Sequence, residues 1–174
     1  KEIKTEEKPA EKKEDKISKS TKIFFLLVLI LAVCSTINGF LPQGNMIPTK
    51  ELPASKPVIA IVIFVGMLII YGGLGFLGLY LSRKLGFAEL WDKKISNKQR
   101  FLSPLKIGAI IGVILIALDL VFSNFNSIGR LVHPPFPASI FASINAGIGE
   151  EIMFRLFFVS FWAWFVSSVI LKGK

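Results

Sequence analysis

Four long apolar blocks separated by short polar segments dominate the sequence, a pattern that an ordinary soluble domain of this size does not carry. The blocks run over about 23–41, 57–81, 105–124 and 138–171. A surface helix of a soluble protein shows apolar residues every three or four positions and keeps a polar face. Here they are nearly continuous for close to twenty residues or more, enough to cross a hydrocarbon core of ~30 Å at 1.5 Å per residue. Over the 174 residues, 52% are hydrophobic, sixteen are Phe, and the mean hydropathy is +0.61. The expected fold is all-α: a polytopic transmembrane helical bundle of about four spans over 23–174, multi-pass in the cell membrane with the lipid bilayer as its main partner.

The net charge of +9 does not point to a nucleic-acid partner, because the basic residues lie between the apolar blocks, where they act as topology signals. Eight Lys precede Ile23, seven Lys or Arg lie in 82–106, and Lys172 and Lys174 close the sequence. The two remaining loops hold three: Lys50, Lys56 and Arg130. Seventeen against three puts the leading tail and the last residues in the cytoplasm, as an even number of crossings requires. The tail itself, 1–22, is rich in Lys and Glu, has almost no apolar residues, and is expected to be disordered. The first block could instead be a lipoprotein signal, with Cys34 in the box "LAVC". Val33 stands where that box needs a small residue, and the polar tail is long for such a signal, so a retained span is expected.

The second block holds "YGGLGFLGLY", with Gly72, Gly73, Gly75 and Gly78. No Lys-Ser/Thr follows and no strand precedes, so close helix packing rather than a phosphate loop is the expected use of these glycines. The basic segment after it, "RKLGFAELWDKKISNKQRF", is expected to lie partly on the membrane surface, anchored by Trp91 and Phe101. The last block would extend about 51 Å as one helix, too long for an upright crossing. It either tilts or breaks, near Gly147 and Gly149 or after Trp164.

Three charges interrupt that last block, in "GIGEEIMFRLFF": Glu150, Glu151 and Arg155. An ionised side chain at such depth is costly, and the default expectation is a functional site with a named partner. On a helix turning about 100° per residue, Arg155 falls near Glu151 and roughly 140° from Glu150. Arg155 is therefore expected to pair with Glu151 and to leave Glu150 without a cation. A desolvated carboxylate beside another carboxylate holds its proton more tightly, which suits a general base. The competing uses of such residues are a helix lock and an ion pathway.

The six residues "EEIMFR", Glu150 to Arg155 with "LFF" after them, resemble the first motif, E-E-x-x-x-R, of the CPBP intramembrane proteases. That family includes type II CAAX prenyl endopeptidases and bacteriocin-processing or self-immunity proteins. A looser likeness in layout covers about 70–174. The resemblance implies an intramembrane endopeptidase in which Glu150 activates a water while Glu151 and Arg155 support it. Substrates would be membrane-associated peptides or protein termini. The family's later motifs, F-x-x-x-H and H-x-x-x-N/D, are not in this sequence, and the non-Met start and "LKGK" end point to a fragment of a longer protease. The single histidine, His133, precedes the glutamates in an "HPPFP" loop and is assigned no catalytic role. No cofactor is expected, and no Cys/His spacing suits a metal. The alternatives are a non-catalytic membrane protein, in bacteriocin immunity or as a scaffold, and a small proton-coupled transporter. Two further polar residues are read structurally: Asp119 is expected to reach the interface or join Asn124, and Asn145 to bond a neighbouring helix.

Overall fold

The computed structural model describes residues 12–44, 54–87, 90–91, 94–127 and 129–171, with side chains described from Lys19 onwards. All regular structure among them is helical: α1 (Lys12–Asn38), α2 (Lys56–Lys84), α3 (Ser103–Phe122), α4 (Ala138–Glu150) and α5 (Val159–Trp164). Four helical stretches are long and apolar enough to cross a membrane: Lys19–Asn38, Lys56–Lys84, Lys98–Phe122 and Ala138–Ile170. The chain is thus an all-α, multi-pass membrane protein.

Helix ends follow local chemistry. Pro57 opens α2 and Pro104 opens α3, where a missing N–H costs nothing. Past the end of α2, Gly86 takes φ 72°, its N–H bonds the Arg83 carbonyl, and the Phe87 N–H bonds the Ser82 carbonyl. This paired cap needs a left-handed residue, which glycine supplies without strain. α1 begins at Lys12, inside the tail expected to be disordered. Once the apolar span has nucleated a helix, adding turns towards its start is easy. Residues 1–11 of that tail lie outside the described residues, as does most of the Gln43–Lys56 loop.

The question of one helix or two in the last block has a definite answer. Ala138–Ile170 is continuous, and neither Gly147 nor Gly149 breaks it. Instead the hydrogen bonding widens from i→i+4 to i→i+5 over Glu151–Phe158 and again over Phe165–Ile170. Val159 N–H reaches back to the Phe154 carbonyl, and Leu171 N–H to that of Val166 at 2.9 Å. Such π-helical turns absorb a change of register without ending the helix.

Three of the four spans share the core. Phe24, Val28 and Leu31 of α1, Leu79 of α2 and Ile152 of the first π-helical segment are buried together, with Leu68, Tyr71, Ile148 and Leu156 against them. The glycines of α2 set the spacing. A Cβ on Gly75 would stand 2.5 Å from the Phe24 ring and 2.7 Å from Ile152, and one on Gly78 would stand 2.6 Å from the Leu156 carbonyl oxygen. Gly72 has ordinary contact only, and Gly73 faces open space. The expected packing role therefore belongs to Gly75 and Gly78. α3 stands apart, with no buried residue. In a bilayer this needs no compensation, since lipid tails solvate an apolar helix as well as another helix does.

Candidate functional site

Glu150 closes α4 and Glu151 opens the π-helical segment, so the two carboxylates straddle the change in helix type. Arg155 Nη1 donates to Glu151 Oε2 at 3.0 Å and to Oε1 at 3.2 Å. A wider turn brings positions four apart nearer to eclipse than an α-helix does, which favours this pairing. Glu150 is exposed, and among the described residues it has neither an ion-pair nor a hydrogen-bond partner. Arg155 thus pairs with Glu151 and not with Glu150, as the spacing predicts. Both members of the pair are themselves largely exposed, Arg155 at 78% and Glu151 at 62%. Both belong to one helix, and the pair does not join two.

Beside the pair lies a cavity of about 580 Å³ between α1, the end of α2 and the last helix. Its walls are mainly apolar, Phe24, Leu27, Ile148 and Leu156 among them, and Glu151 and Arg155 border it. Glu150 does not line it. Two polar side chains that the sequence reading passed over, Ser82 and Ser160, line the same cavity and are buried. Their only sequence signal is a small hydroxyl within an apolar span, and many such serines merely bond their own helix.

The other polar residues go to structural tasks. Asp119 Oδ1 accepts the Leu131 N–H at 3.0 Å and so ties the following loop to α3. It does not join Asn124, whose amide donates to the Leu120 carbonyl at 2.8 Å. Asn145 departs from expectation: its Oδ1 is buried without a partner and is not bonded to a neighbouring helix. No feature of the fold explains it. His133 is exposed in the loop before α4, at whose far end, ~18 Å of rise beyond Ala138, Glu150 lies. Cys34 is a buried free thiol in α1. Among the described residues, no group of three or more His, Cys, Asp or Glu could hold a metal ion.

No protein-family model, curated protein or solved structure matches this chain. Its chemistry is read from its own side chains.

Proposed function

We propose that this chain belongs to an intramembrane endopeptidase of the CPBP type and contributes the carboxylates of its site. The observation that carries the reading is the division of labour at Glu150–Glu151: Arg155 engages the second acid and leaves the first unneutralised. Glu150 takes a proton from a water, the resulting hydroxide attacks a peptide carbonyl, and the proton passes to the leaving amine. Glu151 and Arg155 balance one another's charge beside it. Because Glu150 does not border the interhelical cavity, substrate approaches the outer face of α4. The substrate class is a membrane-associated peptide or protein terminus. Oxyanion-stabilising imidazoles are not assigned to this sequence. In the cell membrane, the distribution of Lys and Arg orients the leading tail and the basic loop towards the cytoplasm.

The helix-lock reading loses its support, because the ion pair lies within a single helix. Glu150 as a proton carrier rests on the same unpaired acid and differs in what it predicts. Liposomes holding the full-length protein, loaded with a fluorogenic transmembrane-peptide reporter, separate the two. Glu150→Gln should abolish cleavage while insertion and helicity stay unchanged. Cleavage that survives the substitution removes Glu150 from its role, and proton flux without cleavage assigns the carboxylate to transport.

A further inference from the structure

At the end of the bundle where α1 enters and α2 leaves, the chain gathers its cations around two indoles. Lys19 Nζ lies 4.8 Å from the centre of the Trp91 ring, and the Arg100 guanidinium lies 3.7 Å from the same ring. Lys84 Nζ sits 5.9 Å from the ring centre of Trp164, near the end of α5. Arg83 Nη2 donates to Thr21 Oγ1 at 2.9 Å, which fastens the last turn of α2 to α1. Three regions distant in sequence therefore meet here: the first part of α1, the stretch from the end of α2 to Arg100, and the end of α5.

Topology alone does not account for this arrangement. The positive-inside rule asks only how many cations flank a span, not where their heads rest. Here two cations approach one indole, and the Arg100 guanidinium also donates to Asn97 Oδ1 and to the Ile95 carbonyl, which holds it over the ring. Of the acids with described side chains, Asp119 ties the loop after α3, Glu150 lies outside the cavity that Ser82 and Leu90 line, and Glu151 borders that cavity but is engaged by Arg155. The side chains of Glu14, Asp15, Glu89 and Asp92 are not described; even with them, residues 12–22 hold five basic residues against two acidic ones and 82–106 hold seven against two. Trp rings favour the headgroup level of a bilayer, and basic clusters directly beside membrane helices attract anionic lipid.

The geometry points to this collar as a binding surface for the phosphate-bearing headgroups of anionic phospholipids, independent of any peptidase activity. The indoles set its depth at the interface, and the basic side chains supply the charge that selects anionic over zwitterionic lipid.

The test uses the full-length protein in bilayers of equimolar phosphatidylglycerol and phosphatidylcholine, with the retained lipids counted by native mass spectrometry. The wild type should hold phosphatidylglycerol over phosphatidylcholine by at least about threefold. The triple variant Lys19→Gln, Lys84→Gln, Arg100→Gln should lose that preference, and Trp91→Leu should reduce it with the charge unchanged. High salt applied to the wild type should have the same effect as the triple variant, which keeps the test valid if the variant folds poorly. Equal retention of the two lipids by the wild type overturns the proposal, as does a preference that survives both the substitutions and the salt. Binding of soluble poly-glutamate to the protein together with equal retention of the two lipids would reassign the collar to an acidic protein partner and overturn it too.

Discussion

Gly78 of α2 faces the Leu156 carbonyl so closely that a side-chain carbon at residue 78 would stand 2.6 Å from that oxygen. Backbone meets backbone at this point, and neither side can rotate away. The contact holds the charged helix against α2 one residue from Arg155, so the position of the ion pair follows from a missing methyl group.

Gly78→Ala should therefore push the two helices apart and cost about 1–3 kcal/mol, as overpacking of a filled interior does. Gly73→Ala, five residues earlier and in open space, should be neutral or stabilising by up to ~1 kcal/mol, because alanine favours helix over glycine. Thermal unfolding in detergent checks both. Equal effects would mean that α2 does not touch the last helix at Gly78.

The core and the outlying helix should respond differently to truncation. Phe24 is buried against Gly75 and Ile152, so Phe24→Ala should cost about 3 kcal/mol or more. Leu115 of α3 is exposed to the surroundings, and Leu115→Ala should shift stability by less than ~0.5 kcal/mol. The same unfolding measurement compares them. A large loss for Leu115→Ala would place α3 in a packed interface.

Glu151 and Arg155 should be coupled. Glu151→Gln strands a cation within the span, at a cost on the order of 2.5–3.5 kcal/mol on insertion scales. Glu151→Gln combined with Arg155→Gln removes both charges and should restore much of the membrane-inserted fraction. Quantified membrane insertion of the two single variants and the double variant forms the cycle. Additive losses would show that the two side chains do not meet.

Cys34 reports on α1. Its thiol is buried among packed helices, so a membrane-permeant maleimide should label it only slowly in the folded protein and fully after unfolding. Rapid labelling under native conditions would show α1 to be undocked from α2 and the last helix.

Much of the architecture could be read from residue order alone. Apolar runs of spanning length make helices of known extent in a bilayer, whatever their neighbours are. The pairing of Arg155 with Glu151 was equally local, since it depends only on spacing along one helix. Tertiary structure alone decided the rest. Which glycines carry packing depends on which face of α2 meets Phe24, Ile152 and Leu156, and four glycines close in sequence look alike until a partner arrives. The same holds for the continuity of the last helix. Gly147 and Gly149 offered a break, yet the chain stays helical, with π-helical turns over Glu151–Phe158 and Phe165–Ile170. The basic collar is the most distant consequence, since Lys19, Lys84, Trp91 and Trp164 meet only once the helices are docked. Local spacing determines what a single helix does with its own residues, whereas contacts between helices depend on rotation and depth, which a one-dimensional pattern of apolar residues does not encode.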